Sequence, residues 1–260
     1  MTKKIITAVI LVSVIVFFIK HRLDEIPVQS KKPEVSSDSA KKNILSYSPL
    51  TVDTLKGASG TMYAFIYKNI AKIDYEISRP PVKDTSVYLC IAGAFTQLDN
   101  YEIDGLYICK GKTGNRNNVN KTLGGGIKII DGECEIFPTK SGTLLSDSLI
   151  SIIENKKGSF FQQIQCITSC EAAHFKDVKL FQRRGIVVLK NGKTAIVESH
   201  KIITLKTFSD DLAALGVKDL LYTDMGYWDE GWYRIDGKTI TIGNYLSQTD
   251  KQSNWVVFRK

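Results

Sequence analysis

The segment Ile186-Val-Val-Leu-Lys-Asn191-Gly192-Lys-Thr-Ala-Ile-Val197 carries the clearest fold signal in this chain of 260 residues. Two strand-like apolar runs flank an Asn-Gly dipeptide, which tolerates the positive φ angles that a type I′ turn requires. The same arrangement recurs, with Asp-Gly at the turn, in residues 127–137 and 233–240. These three segments predict three antiparallel hairpins.

Further strands are predicted from the pattern of apolar residues. In residues 73–77 apolar side chains alternate with charged ones, which indicates a half-buried strand, whereas the continuous apolar run 87–91 indicates a central strand. Residues 220–223 form a short predicted strand that delivers Asp224 to its C-terminal end, where a side chain reaches solvent from a rigid scaffold.

Two helices complete the expected fold. Thr207-Phe-Ser-Asp210 resembles a capping box, and Gly216 is placed to end that helix. Apolar residues at helical spacing predict a second helix from about 144 to 154. The sequence therefore predicts an α+β domain built on a mixed, largely antiparallel sheet with packed helices.

Composition limits the classes of protein. Hydrophobic residues make up 43% and charged residues 24%, which excludes a wholly disordered chain and a polytopic membrane protein. Half of the net charge of +8 lies in residues 1–60, which hold nine bases and five acids. The remainder has no block of like charges, so no nucleic-acid partner is predicted.

The N-terminus reads as a targeting segment. An apolar run, residues 5–19, lies between Lys3-Lys4 and Lys20-His21-Arg22, and its 15 residues span about 22 Å as a helix, short of the roughly 30 Å hydrocarbon core. We expect residues 1–22 to be a signal anchor, with a cleaved signal peptide as the alternative. A polar linker at 23–60 would then precede a domain at 61–260, outside a bacterial cytoplasmic membrane or, after cleavage, secreted.

Cysteine and histidine give little support for metal or nucleophilic chemistry. The five cysteines, at 90, 109, 134, 166 and 170, form no Cys-x-x-Cys pair, and we expect small buried hydrophobes, with a Cys166–Cys170 disulfide left open. No Ser or Cys motif accompanies the histidines. No cofactor or metal site is predicted, although scattered carboxylates leave divalent-cation binding open.

The order of several short motifs resembles the phosphodiester glycosidase family, which includes the uncovering enzyme of lysosomal targeting, and is most similar to its shorter bacterial members. The resemblance covers about residues 63–260. Its motifs are Cys90-Ile-Ala-Gly-Ala-Phe-Thr96, Gly105-Leu-Tyr-Ile-Cys-Lys-Gly-Lys112, Gly126-Ile-Lys-Ile-Ile-Asp-Gly132, Phe161-Gln162-Gln163, Arg183-Arg184-Gly185, Leu215-Gly216, Thr223-Asp224-Met225-Gly226 and Ser253-Asn254-Trp255.

Two positions depart from the family pattern. Ile91 stands where many members carry Asn, and Met225 stands where they carry Gly. If the Asn amide holds the sugar in typical members, its replacement implies a different substrate or weaker activity.

The resemblance implies hydrolysis of the bond between a sugar and a phosphodiester. A carboxylate can stabilise the oxocarbenium-like transition state, and Asp224 is the candidate. Arg184 would neutralise the phosphate with its guanidinium fork, and Glu198, on the next strand, would act as acid/base or orient the arginine. The proposed substrate-binding residues are Arg183, Gly226, Trp228, Trp232, Arg234, Gln162 and Gly93.

Plainer interpretations remain open for each residue. Asp224 could cap a turn, Arg184 could pair with Asp177 at the surface, and Glu198 could be solvated, while a one-residue change in register would make Arg183 the relevant arginine. The aromatic loop after Gly226 could be packing. At the level of function, the alternatives are a catalytically impaired carbohydrate-binding or envelope-assembly protein and a tethered protein without a ligand.

Overall fold

A computed structural model describes residues 48–114, 116–226, 229–243 and 249–260. Its strands, numbered in chain order, are β1 (Leu50–Lys56), β2 (Met62–Lys68), β3 (Lys72–Glu76), β4 (Val87–Ala92), β5 (Tyr107–Cys109), β6 (Lys112–Thr113), β7 (Gly125–Ile130), β8 (Glu133–Pro138), β9 (Ser159–Gln163), β10 (Gln165–Thr168), β11 (Glu171–Ala172), β12 (Arg184–Leu189), β13 (Thr194–Ser199), β14 (Val217–Tyr222), β15 (Gly231–Ile235), β16 (Lys238–Ile242) and β17 (Trp255–Arg259). Two α-helices, α1 (Asp147–Asn155) and α2 (Leu205–Ala214), and a 3₁₀ turn, Thr249–Lys251, complete the described part.

The strands form three sheets. A seven-stranded sheet has the order β1-β2-β13-β12-β14-β10-β11, and two five-stranded sheets have the orders β16-β15-β4-β17-β3 and β6-β5-β9-β7-β8. Every strand pairing within the described residues is antiparallel. The described part of the domain is therefore rich in antiparallel sheet. Its two α-helices make up a smaller share of the fold than was expected for an α+β domain.

The central core lies where the three sheets meet. One buried cluster draws Ile186 and Ile196 from the seven-stranded sheet, Ile91 from the second sheet and Ile127 from the third. A second cluster lies on the other face of the seven-stranded sheet, where α2 covers it with Phe208 and other apolar side chains. The middle strands β12, β13 and β14 carry apolar side chains on both faces, because one face packs in the central cluster and the other in the second cluster.

The three predicted hairpins are present, as β7–β8, β12–β13 and β15–β16. Asp131 and Asp236, each followed by glycine, have φ angles of 55° and 50°, which fit the expected type I′ turn. The turn at Asn191 differs, since only Gly192 has a positive φ there, of 81°, and its N–H donates to the Leu189 carbonyl. This is a type I turn closed by a left-handed glycine.

Element boundaries shift because side chains outside the predicted motifs act as caps. Helix α2 begins one turn early, since the Thr204 hydroxyl accepts the Thr207 N–H at 3.0 Å. Gly216 does follow the helix, with a φ of 87°. Helix α1 begins at Asp147 because Ser146 caps it. Strand β3 ends at Glu76, so Ile77, expected in the strand, is outside it and 57% exposed.

The folded part begins earlier than predicted. Strand β1 lies within the interval 23–60 that was expected to be a linker, and it pairs with β2 along its whole length. Among the described residues no helix has the length and apolar character to cross a bilayer. The predicted membrane segment, residues 5–19, lies outside the described residues.

Candidate functional site

Asp224 lies where the seven-stranded sheet meets the second sheet. It follows β14 by two residues, and its backbone N–H donates to the carbonyl of Gly93, which follows β4, at 2.9 Å. Its carboxylate accepts the N–H of Thr96 at 3.0 Å. Asp224 is only 5% exposed, so these bonds hold its carboxylate rigidly against the turn that follows β4.

The turn at Gly93 is held in place by Asn254, which precedes β17. The Asn254 amide accepts the Ala94 N–H at 2.6 Å and donates to the Ala94 carbonyl at 3.0 Å. A Cβ on Gly93 would lie 2.7 Å from Asn254 Oδ1, which explains the glycine. The sequence motif contained Asn254, but nothing in the sequence alone singled it out as a site residue.

Other polar side chains extend this network behind Asp224. The Thr96 hydroxyl lies 2.9 Å from the Ser253 hydroxyl and 3.1 Å from Gln252 Oε1. Gln163, in β9, directs its amide at the Gly93 carbonyl, 3.5 Å away. Since Thr96, Gln163 and Gln252 are buried, this uncharged network positions the carboxylate.

Arg183 and Tyr222 lie on the same side of the sheet as Asp224. Burial raises the pKa of Tyr222 to about 12, with Arg183 acting to lower it and Asp224 to raise it. The Arg183 guanidinium donates to the Tyr222 hydroxyl at 3.2 Å and to the carbonyls of Ile203 and Lys179 at 3.1 and 2.7 Å. The Arg183 N–H groups are therefore bonded to other groups of the protein. Asp177 was considered as a partner of Arg184, but its carboxylate lies 3.8 Å from Arg183 instead.

Arg184 and Glu198 form a buried ion pair on the opposite face. They are direct cross-strand partners, Arg184 Nε donates to Glu198 Oε2 at 2.6 Å, and Arg184 is fully buried. Glu198 Oε1 accepts from the Gln182 amide at 2.9 Å and from the Gly243 N–H at 3.2 Å. Arg184 also donates to the Asp229 carbonyl at 2.7 Å, so the pair ties β12 and β13 to the segments at 229 and 243.

The strand register decides which arginine accompanies Asp224. Gly185 pairs with Tyr222, and the Thr223 N–H donates to the Arg184 carbonyl, so Arg184 lies opposite Thr223 and Arg183 lies opposite Asp224. Successive side chains of extended backbone point to opposite faces. The structure thus brings Arg184 together with Glu198, and it places Asp224 beside Gly93 on the face that also carries Arg183.

The remaining predicted binding residues divide between packing and positioning. Gln162 Oε1 accepts the N–H groups of Leu106 and Asn120 at 2.8 and 3.0 Å, so Gln162 joins the segments at residues 106 and 120. Its neighbour Gln163 faces Gly93 instead. Gly226 has a φ of 151° and open space around its missing Cβ. Trp228 lies outside the described residues.

Trp232 is a core residue and Arg234 lies away from Asp224. Trp232 is 2% exposed and packs in a core cluster with Trp255 and Cys90. The Arg234 guanidinium donates to the carbonyls of Val82, Asp84 and Val87. Val87 and Gly93 are six residues apart, about 20 Å along an extended chain, so the structure does not bring Arg234 to the carboxylate of Asp224.

Ile91, Cys90 and Cys166 are buried, whereas Cys109, Cys134 and Cys170, which were also expected to be buried, are partly exposed. Ile91, which stands where the family pattern has Asn, is fully buried in the central cluster. All five cysteines are free, so Cys166 and Cys170 are not joined. Within the described ranges, no group of three or more His, Cys, Asp or Glu side chains is arranged to hold a metal ion.

Comparison with known proteins shows a likeness of fold. No protein-family model and no curated protein matches the sequence. The catalytic domain of zebrafish N-acetylglucosamine-1-phosphodiester alpha-N-acetylglucosaminidase, auto-inhibited by its pro-peptide, matches with a TM-score of 0.56 and 10% identity over 82% of this chain and 83% of that domain. A hypothetical protein from Synechocystis matches with a TM-score of 0.55 and 11% identity over 81% of this chain and 62% of that one. The chain is therefore distantly related in structure to this glycosidase domain.

Proposed function

We propose that this protein hydrolyses the glycosidic bond of a sugar-phosphate diester in an envelope or environmental glycan. The observation that carries the proposal is the fixed carboxylate of Asp224, held by the Thr96 N–H at the junction of two sheets. A pre-positioned carboxylate stabilises an oxocarbenium-like transition state as nucleophile, as base for water or by its charge. The shared fold with the zebrafish glycosidase domain supports this reaction class.

The other charged groups have supporting roles in this proposal. Phosphate is a good leaving group, so the reaction needs its charge neutralised more than it needs a proton. Arg184, buried and bound to Glu198, acts as a positioning residue that fixes the Asp229 and Gly243 segments. Arg183, in register with Asp224, is the nearer arginine along the strands.

A second candidate function is carbohydrate binding without turnover. It is favoured by the two arginines, since each is at least 95% buried and donates to groups of the protein. An impaired member of the fold would keep the sugar site and lack an accessible cation for the phosphate.

The two functions are separated by assaying the purified chain against a panel of glycosyl phosphodiesters. Hydrolysis predicts release of free sugar by the native chain and its loss in Asp224→Asn, with the fold checked by circular dichroism. The matched control is Asp147→Asn, because the Asp147 side chain is 94% exposed, and it should keep full activity. Sugar affinity with no turnover would favour the binding function, and release unaffected by Asp224→Asn would refute the assignment of Asp224.

We also propose that residues 5–19 anchor the chain in a bacterial cytoplasmic membrane with the folded part outside. Carbonate-resistant association of the chain with membranes, together with protease access to residues 48–260 in intact spheroplasts, would support this location. An intact N-terminus would support an anchor over a cleaved signal peptide, and recovery in the cytosolic fraction would contradict both.

A further inference from the structure

A cavity of about 590 Å³ lies remote from Asp224, at the other end of β17. It is bounded by the start of β3, the β7–β8 turn, the residues after α1 and the end of β17. Six basic and two acidic residues line it, a surplus of four positive charges, and the basic ones are Lys72, Lys110, Lys156, Lys157, Arg259 and Lys260. Residues 61–260 as a whole, with 26 bases and 22 acids, also have a surplus of four positive charges, so this basic cavity is much more positively charged than an average part of the domain.

Among the described residues, the acids at the basic cavity pair with two of its cations and leave three of its lysines without an ion pair. Lys110 Nζ lies 3.1 Å from Asp74 and 3.2 Å from Glu76, and the Arg259 guanidinium also bonds to Glu76. Within the described part of the chain, no carboxylate lies at ion-pair distance from Lys72, Lys156 or Lys157. These exposed ammonium groups face the cavity without an internal counter-ion, as a site for a multivalent anion requires.

Two smaller cavities lie between the basic cavity and the polar network of the candidate site. One of about 320 Å³ shares Lys110 with the basic cavity, and one of about 330 Å³ shares Ile77, Tyr107 and Gly114 with the second. The Tyr107 ring lies directly on Gly114, where a Cβ would come within 2.3 Å of Tyr107 Cζ. The Tyr107 side chain therefore lines both of the smaller cavities, with its ring packed on Gly114.

The third cavity reaches the polar network around Asp224. It is lined by Ser253, whose hydroxyl lies 2.9 Å from that of Thr96, and the Thr96 N–H binds Asp224. The three cavities lie along β3 and the residue after it, from Lys72 to Ile77. This distance is five residue steps, or about 17 Å of extended chain, which is longer than one sugar phosphate.

We infer that this groove binds a linear glycan with repeating phosphates, its remote phosphates held by the lysines of the basic cavity while one glycosidic bond lies at Asp224. The inference rests on the proposed function for its reactive end and names a polymer as the substrate class. A nucleic acid also carries phosphates, but binding of single strands uses cations along the whole track and successive aromatic platforms. Here the lysines without an ion pair are concentrated at one end, with Lys112 in the second cavity as the exception among the described lining residues.

The test uses the full chain in non-ionic detergent and two probes. The first is short linear inorganic polyphosphate, which reports on the basic cavity without any sugar. The second is an oligomer of a glycosyl 1-phosphate from the diester panel, compared with its single-unit methyl diester in the hydrolysis assay. The variant is Lys72→Gln with Lys156→Gln, and the control is Lys176→Gln with Lys201→Gln, which removes the same charge from exposed lysines that line none of the three cavities.

We expect the cavity variant to bind polyphosphate about fivefold to tenfold more weakly than the native chain, the effect of two exposed ion pairs. The KM for the oligomer should rise by the same factor, with kcat and the KM for the methyl diester unchanged. The control variant should behave like the native chain.

Each other result has a definite meaning. Equal loss of polyphosphate binding in both variants, equal native KM values for oligomer and methyl diester, or tighter binding of single-stranded DNA than of the oligomer would overturn the inference. Lysine-dependent polyphosphate binding without cleavage of any diester would refute the proposed hydrolase and support the basic cavity as an anion site.

Discussion

Replacing Glu198 by Gln tests the central ion pair, because it removes one charge while keeping the size of the side chain. The native carboxylate accepts from Arg184 at 2.6 Å, from the Gln182 amide at 2.9 Å and from the Gly243 N–H at 3.2 Å. A carboxamide has one oxygen, so its NH₂ group must face at least one of these donors.

The expected cost follows from the burial of the pair. Arg184 has no exposed surface, so after Glu198→Gln its buried guanidinium has no anionic partner among the contacts described above and keeps only neutral acceptors such as the Asp229 carbonyl. Removing one partner of a buried pair costs about 3–5 kcal/mol, since the other charge is left uncompensated. With a urea dependence of about 2–3 kcal/mol per molar, the unfolding midpoint should fall by about 1.5 M.

Urea unfolding followed by circular dichroism measures this change. Glu171→Gln removes an exposed carboxylate that makes no ion pair in the described structure, and it should change stability by less than about 0.5 kcal/mol. The double variant Arg184→Met, Glu198→Met should recover most of the loss, because no buried charge is left unpaired. Equal midpoints for Glu198→Gln and the native chain would refute the buried ion pair.

Three further changes test the positions of individual groups. Gly93→Ala should destabilise the chain by about 1–3 kcal/mol in urea unfolding, because the new Cβ would lie 2.7 Å from Asn254 Oδ1, whereas Gly124→Ala, with open space around it, should be near neutral; equal effects would contradict the tight turn. The pKa of Tyr222 is raised from 10.0 to about 12, so the stability that its neutral phenol contributes is present below pH 10 and is lost as the pH rises towards 12. Relative to Tyr222→Phe, the free energy of unfolding of the native chain should fall by about 3 kcal/mol over that range of pH. Parallel curves of stability against pH would argue against a buried phenol. Burial raises the pKa of Cys166 to about 12, so mass spectrometry should find it unalkylated at neutral pH until the protein unfolds, and rapid labelling of the folded chain would contradict its burial.

Local chemistry was sufficient to predict the hairpins. Each depends on a turn dipeptide and on the residues directly beside it, so no distant partner is needed to recognise it. Strand β1 shows the opposite case. Only three of its seven residues are apolar, and it is a strand because β2 supplies its hydrogen bonds, a partner that composition does not reveal.

The family resemblance of the sequence singled out four charged residues as candidates, namely Asp224, Arg184, Arg183 and Glu198, and their roles stay predictions. The sequence could not decide between the two arginines, because a shift of one residue in register moves a side chain to the other face of the sheet. The pairing of Gly185 with Tyr222 settles that register and places Arg183 opposite Asp224.

The turn chemistry, the antiparallel strands and the types of charged residue follow from the sequence, since each depends on neighbours a few positions away. The support of Asp224 by Asn254 and Thr96, and the gathering of lysines from positions 72 and 156 into one cavity, were decided by the tertiary structure. These groups are separated by tens of residues or more, and only the packing of three sheets against one another sets the distances between them.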